Sequence, residues 1–141
     1  MRIIYLTLLL LLTSCLNSFK KEEVLGIYSP VDYKNCFDTI QIIENGTYFR
    51  KVYDIQKKIV LDMKGEWRFY DENKRQFVFS SYYFNFDDDL IKFPESIKNR
   101  GSYVVNIERN NGRIEFCVGI YSADLPNQQC YQKQVSTSKM K

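Results

Sequence analysis

The chain has 141 residues, with 20 Lys and Arg against 17 Asp and Glu, four cysteines and no histidine. The net charge of +3 is too small to indicate nucleic acid binding, and the basic residues are dispersed rather than clustered. Without histidine the protein lacks the usual general base near neutral pH, the Ser-His and Cys-His pairs of nucleophilic enzymes, and the commonest zinc ligand. The sequence therefore predicts a protein that is not an enzyme and holds no cofactor.

The N-terminal segment has the pattern of an export signal. Met1-Arg2 is a cationic start, and the mainly apolar run that follows, residues 3–12, is shorter than the roughly 20 residues that span a bilayer. The run ends in Leu12-Thr13-Ser14-Cys15, which resembles the lipobox of bacterial lipoproteins. The resemblance implies cleavage between Ser14 and Cys15 and attachment of a diacylglycerol to the Cys15 thiol. The alternative, a buried helix, would be apolar on every face and would need a larger core than this chain can form.

This interpretation divides the chain into a signal peptide (1–14), a lipidated tether (15–23), a β domain (24–135) and a flexible tail (136–141). Acyl chains on Cys15 would anchor the protein to a membrane of the cell envelope. Leu16 stands where an aspartate would retain many lipoproteins in the inner membrane, so the outer membrane is favoured. Lys21-Glu22-Glu23 resembles the acidic signal for surface display in some Bacteroidota, which makes exposure on the cell surface a further hypothesis.

Beyond the tether the sequence predicts a series of short strands. They are expected at 24–29, 37–43, 47–55, 59–63 with a continuation to 70, 76–86, 103–108, 114–120 and 129–134. Gly65 would allow a bend or bulge in the continued strand. One short helix is expected near 94–100, with Pro94 in its first turn and Gly101 past its end. It is a candidate cover for the strand at 76–86, which is apolar on both faces.

Two Asn-Gly pairs predict the register of the hairpins, because this dipeptide tolerates the positive φ angles of a two-residue type I′ turn. Asn45-Gly46 as such a turn pairs Ile42 with Phe49. Asn111-Gly112 as such a turn predicts three pairs, Ile107 with Phe116, Val105 with Val118, and Tyr103 with Ile120.

Seven to nine strands in sequence order predict a mainly β, antiparallel meander, and closure into a barrel would leave it without exposed edges. A sandwich of the same strands is the alternative. Leu25-Gly26-Ile27-Tyr28, the segment 38–48 and Gly65-Glu66-Trp67 resemble the lipocalin-like lipoproteins of Bacteroidota. Those proteins share a Gly-x-Trp/Tyr start, an Asn/Asp-Gly-x-Tyr turn and a later Gly-x-Trp. The resemblance implies a small lipocalin-like barrel and no particular activity.

The cysteines predict one disulfide. With Cys15 assigned to the lipid, Cys36, Cys117 and Cys130 remain, and disulfides persist outside the cytoplasm. We favour Cys117–Cys130, with a bond from Cys36 to either of them as the alternative. These cysteines show no C-x₂-C spacing, and Asp87-Asp88-Asp89 lacks the spaced ligands of a calcium loop, so no metal site is predicted.

Aromatic residues are abundant, with 11 Tyr, 10 Phe and 1 Trp. Candidates for lining a ligand cavity or filling the core are Tyr28, Trp67, Phe79 and Tyr83. The leading hypothesis is a non-catalytic, membrane-anchored envelope lipoprotein whose β-barrel binds a small apolar ligand or an envelope component. If they fill the barrel, the alternative is a protein-interaction module, such as an immunity-type lipoprotein that inhibits a toxin or hydrolase. An enzyme using only carboxylates or tyrosines is a third hypothesis, for which the sequence indicates no site.

Overall fold

The computed structural model describes residues 18–71, 75–83, 89–98, 100–120 and 127–135. The predicted signal peptide, the lipidation site at Cys15, the tail 136–141 and the Asp87-Asp88 part of the acidic run lie outside these residues.

Eight antiparallel strands form a closed barrel, in which each strand pairs with its sequence neighbours and the last pairs with the first. The strands are β1 (Gly26–Pro30), β2 (Cys36–Ile42), β3 (Thr47–Asp54), β4 (Ile59–Phe69), β5 (Gln76–Tyr83), β6 (Arg100–Asn110), β7 (Arg113–Ile120) and β8 (Asn127–Lys133). This confirms the predicted mainly β fold and the barrel over the sandwich. We call the end of the barrel at which β1 begins the strap end, and the end at which β1 finishes the distal end.

Within the described residues, helical structure is limited to short segments. They are α1 (Lys21–Val24), α2 (Asp89–Lys92) and a 3₁₀ helix (Pro94–Lys98). The helix expected near 94–100 is thus a 3₁₀ turn that ends before Arg100, where β6 begins three residues earlier than predicted. The segment that precedes it packs through α2 against β4, and Leu90 joins the core. No helix in the described parts of the chain is long and apolar enough to cross a membrane.

The turn between β6 and β7 has the predicted geometry. Asn111 and Gly112 both have positive φ, 50° and 77°, as a type I′ turn requires. The ladder runs from Asn110–Arg113 to Ile107–Phe116, so the first of the three predicted pairs is confirmed. Beyond Ile107 the described partners of β6 are on β5, and the other two predicted pairs lie past the ladder.

The turn between β2 and β3 differs from the prediction. Gly46 has a φ of 81°, whereas Asn45 is not in the left-handed region, and the Ile43 amide donates a hydrogen bond to the Thr47 carbonyl at 3.0 Å. This is a three-residue loop with glycine in the left-handed position, rather than a type I′ turn. The predicted pairing of Ile42 with Phe49 is therefore wrong by one residue, and Ile42 pairs with Tyr48.

An irregularity in β5 explains why this strand is apolar on both faces. The register shifts between Phe79 and Tyr82, and Ser81 has a φ of 55°. A bulge changes which alternate side chains face inward. As a result Phe77 and Phe79 before the shift and Tyr82 after it are all buried in the barrel interior.

Residues 18–25, here called the N-terminal strap, pack across the strap end of the barrel. Phe19 is buried beneath the guanidinium of Arg109, whose Cζ lies 4.9 Å from the ring centroid. The same guanidinium donates to a Glu23 carboxylate oxygen at 2.7 Å. The Tyr28 hydroxyl donates to the Val24 carbonyl at 2.7 Å. The described part of the predicted tether therefore packs on the barrel, because it carries apolar side chains that can be buried there.

Candidate functional site

Aromatic rings of the described strands pack against one another in the barrel interior. Phe116 lies at its centre, with ring centroids 5.1 Å from Tyr28, 5.4 Å from Phe79 and 5.4 Å from Tyr131. Nearer the strap end, Trp67 packs edge-on against Phe77 at 5.4 Å. Separations in this range are those of favourable aromatic pairs.

The four residues predicted to line a cavity or fill the core are all buried. Tyr28, Trp67 and Phe79 belong to the connected set of rings around Phe116 and Phe77. Tyr83 belongs to the same buried core cluster, and its carbonyl accepts a hydrogen bond from the buried Arg50. The structure thus brings all four residues together in the core.

The polar groups on these rings find their partners inside the protein. The Tyr28 hydroxyl donates to the strap, and the Tyr48 hydroxyl donates to the Ser80 carbonyl at 3.0 Å. The Trp67 indole N–H donates to the Ile43 carbonyl at 2.8 Å. Buried polar groups are satisfied by such bonds. These three donors are consequently engaged in the fold rather than available to a bound molecule.

Towards the distal end the interior contains an ion pair. Arg50 on β3 and Asp38 on β2 have fully buried side chains, and Nη2 of the arginine lies 2.6 Å from Oδ2 of the aspartate. Arg50 Nε also donates to both carboxylate oxygens at 3.2 Å. This is a forked arrangement of the kind that guanidinium and carboxylate groups favour.

Further groups complete the hydrogen bonding around this pair. The Tyr131 hydroxyl donates to Asp38 Oδ2 at 2.6 Å, and Gln129 Nε2 donates to the same oxygen at 3.1 Å. Arg50 Nη1 donates to the Tyr83 carbonyl. Within the described residues Gln129 Oε1 is buried without a hydrogen-bond partner. The cluster joins β2, β3, β5 and β8 across the barrel.

The electrostatic environment of the cluster follows from its burial. Burial alone would lower the pKa of Arg50, but the charge of Asp38 and the hydrogen bonds to it raise that pKa well above its ordinary value. Burial raises the pKa of Tyr131 well above its ordinary value, although the Arg50 charge opposes this. Burial also raises the pKa of Tyr82 to about 12. The arginine is therefore held charged and the tyrosines neutral.

Sequence reasoning missed this cluster, although one signal for it was present. Asp38 alternates with Cys36 and Ile40 on the inward face of β2, and Arg50 falls between Tyr48 and Val52 on the inward face of β3. A charge at an inward position of an alternating strand needs a buried partner. That rule would have identified Asp38 and Arg50 as a buried pair. The hydrogen bonds from Gln129 and Tyr131 to Asp38 could not be predicted in this way, because they depend on barrel closure.

On the outer face, Cys117 and Cys130 form the disulfide that the sequence favoured. They are direct cross-strand partners on β7 and β8. Cys36 is a buried thiol at the start of β2. Glu115 lies close to the two sulfur atoms, so the three groups have the proximity of metal ligands. The sulfur atoms are bonded to each other, and neither is a thiolate in this state.

Two clefts open on the surface of the described residues. One has a volume of about 370 Å³ and is lined by Phe19, Arg75, Ile107, Glu108 and Arg109. The other has a volume of about 310 Å³ and is lined by Asn45, Gly46, Thr47, Glu66, Trp67, Arg68, Val78 and Ser80. Charged or polar side chains form much of both linings, which is unlike the mostly apolar lining of a typical small-molecule site.

The acidic motif at Lys21-Glu22-Glu23 is partly engaged by the barrel. The hydrogen bond from the Lys20 amide, at 2.8 Å, and the contact with Arg109 lower the pKa of Glu23, whereas Glu22 is exposed.

Comparison of the chain with protein-family models finds no match, and comparison with curated proteins finds none.

Proposed function

We propose that this protein is a non-catalytic lipoprotein of the cell envelope whose barrel binds a protein partner through its outer surface. The observation that supports this best is the filled interior, in which buried aromatic rings pack around Phe116. A barrel that carries a small molecule needs an internal cavity lined by side chains that remain free for the ligand. Binding on the outer surface has no such requirement.

The distribution of charged groups supports binding over catalysis. Asp38 and Arg50 form an ion pair in the interior, but both side chains are fully buried and bonded to each other. A catalytic acid or base must come within hydrogen-bond reach of its substrate. Buried in this way, the pair acts as part of the fold. The absence of histidine from the chain points in the same direction.

The proposed anchor is a diacylglycerol on Cys15, in the outer membrane. The test is metabolic labelling of the full chain with an alkyne analogue of palmitate, followed by membrane fractionation on a density gradient. We expect label on the protein and its recovery with the outer membrane. Cys15→Ala should abolish both. An unlabelled wild-type protein in the soluble fraction would contradict the anchor.

The binding mode is tested by native mass spectrometry of the detergent-extracted full-length protein. We expect the mass of the lipoprotein alone, or of its complex with another protein. An added small mass that disappears on organic extraction would instead support the small-ligand alternative. That result would overturn the proposal, which rests on the aromatic rings that the described residues place in the barrel interior.

A further inference from the structure

An exposed apolar patch lies on the outer face of β2, β3 and β4 at the distal end. It consists of Phe37, Tyr53, Ile55 and Ile59, which we call the β2–β4 patch. Phe37, Ile55 and Ile59 are 57%, 61% and 49% exposed. Tyr53 is half-buried between them. Single exposed apolar residues are ordinary, whereas a contiguous exposed patch marks an interaction site.

Register makes the patch contiguous. Tyr53 is the direct cross-strand partner of Phe37 on one side and of Ile59 on the other. Direct partners on one face of a sheet have Cβ atoms about 5 Å apart. The side chains of these three residues therefore form one row across three strands. Ile55 follows Tyr53 by two positions, in the turn that leads to β4.

A bulge turns Ile59 towards solvent. On β4, the barrel interior is faced by Leu61, Met63 and Trp67. Regular alternation along the strand would place Ile59 on the same inward face. The β3–β4 register shifts between Val52 and Tyr53, so that Val60 is the extra residue. Val60 packs against the core, and Ile59 lies on the outer face with Tyr53. The barrel thus exposes an isoleucine that regular pairing would have buried.

The patch and the N-terminal strap lie at opposite ends of the barrel. The strap packs at the end where β4 finishes, and Ile59 is the first of the 11 residues of β4. A strand of this length with the usual barrel tilt separates the two by roughly 25 Å along the axis.

This geometry bears on what can reach the patch. If Cys15 carries the lipid, as the proposed function holds, four residue steps join it to the docked Phe19 and span at most about 14 Å. Such a short link keeps the strap end of the barrel near the bilayer. The β2–β4 patch then faces away from the membrane that anchors the protein, and its occupant comes from the aqueous side.

We propose that the β2–β4 patch, in the anchored protein, is the docking site for another protein with an apolar surface flanked by acidic residues. Lys57 and Lys58 lie exposed in the turn that joins Ile55 to Ile59, and they supply the positive rim that such a partner would meet. Aromatic and aliphatic side chains at the centre with charges at the rim are the usual anatomy of a protein interface.

The first experiment is photo-crosslinking in living cells that make the full chain, with p-benzoylphenylalanine in place of Phe37. The control has the same group in place of Val104, which is 50% exposed on β6. We expect a crosslinked protein adduct from position 37 and none from position 104. Wild-type protein should compete with formation of this adduct, and Phe37→Asp protein should compete less. Adducts with lipid or with a second copy of this chain, or no adduct, would overturn the proposal.

The second experiment measures the affinity of the identified and purified protein for the full-length lipoprotein. Phe37→Asp and Ile55→Asp should each weaken binding at least about 30-fold, as loss of a central interface residue does, and Val104→Asp should leave it unchanged. These positions are exposed, so the variants should keep the wild-type circular dichroism spectrum. Equal affinities would refute the docking site. The Cys15 labelling experiment tests the anchor separately, and a soluble protein that still binds through Phe37 would disprove only the anchor.

Discussion

Burial determines how much an ion pair contributes to the stability of this protein, as two neighbouring residues of β3 illustrate. Arg50 points inward and forms its ion pair with Asp38 out of contact with water. Lys51 points outward, and its Nζ lies 3.4 Å from Oδ2 of Asp62, with both side chains about half exposed. Exposed pairs contribute little because water and salt screen them, whereas removing one member of a buried pair leaves an unpaired charge in the core.

We therefore predict that Arg50→Ala lowers the free energy of unfolding by about 3–5 kcal/mol. Lys51→Ala, the matched control, should change it by less than about 1 kcal/mol. Urea unfolding of both variants measures the difference. Should Arg50→Ala fail to fold, Asp38→Asn keeps the shape of the cluster and should still destabilise far more than Lys51→Ala. If the variants of Arg50 or Asp38 unfolded at the same urea concentration as Lys51→Ala, the result would contradict a structural role of the Arg50–Asp38 pair.

Close packing between neighbouring strands is the main constraint at the scale of elements. Gly65 on β4 faces Tyr48 on β3, and a Cβ at this position would lie 2.4 Å from the Tyr48 ring and 2.6 Å from the Ser80 carbonyl oxygen. The sequence suggested a bend or bulge at Gly65, but β4 continues through it and the bulge falls at Val60. Glycine is needed at position 65 because an aromatic ring occupies the space of a side chain.

Gly65→Ala should therefore lower the free energy of unfolding by about 2–3 kcal/mol, because the tyrosine ring must move. Gly112→Ala is the control, since a Cβ at this position in the open turn would have no atom within 4 Å. Its positive φ alone should cost about 1 kcal/mol. Near-UV circular dichroism, which reports on aromatic packing, should change for the first variant and not for the second.

The Cys117–Cys130 disulfide links β7 covalently to β8 over a sequence separation of 13 residues. Closing a loop of this size restricts the unfolded chain, so replacing both Cys117 and Cys130 by alanine should lower the free energy of unfolding by about 2–3 kcal/mol. Chemical reduction of the wild-type protein should lower it by a similar amount and leave the double variant unaffected. Unfolding midpoints with and without a dithiol reductant give the comparison.

At the scale of the whole molecule, barrel closure gathers the tyrosine rings into one interior. Tyr28, Tyr48, Tyr82 and Tyr131 come from four different strands, and burial raises the pKa of each of them above the ordinary value. The folded protein therefore favours the neutral form of these side chains more strongly than the unfolded chain does. Such groups make stability depend on alkaline pH.

The sign of that dependence follows from Tyr82, whose pKa is raised to about 12 from 10.0. Its contribution to stability is fully present below pH 10 and is lost as the pH rises towards 12. We expect the free energy of unfolding to fall over this range, with part of the tyrosinate absorbance appearing only as the protein unfolds. Tyr82→Phe should weaken this pH dependence. Constant stability over the range would contradict the burial of these hydroxyl groups.

Features that depend on neighbours along the chain could be predicted from the amino-acid sequence alone. Period-two alternation and polar turns predict the strands, and the Asn111-Gly112 turn predicts the pairing of Ile107 with Phe116. The same patterns predicted seven to nine strands. They favoured the barrel and the Cys117–Cys130 bond but left the sandwich and a bond from Cys36 open.

The meeting of distant side chains and the exposure of particular faces depend instead on the complete fold. Tyr131 reaches Asp38 across 93 residues of sequence, because the last strand closes on the first. The bulge that exposes Ile59 adds one residue to one strand, and a shift of one position reverses the facing of every side chain before it. Docking of Phe19 likewise depends on Arg109 of β6. Local patterns cannot predict these contacts, since each arises from the register and closure of the whole barrel.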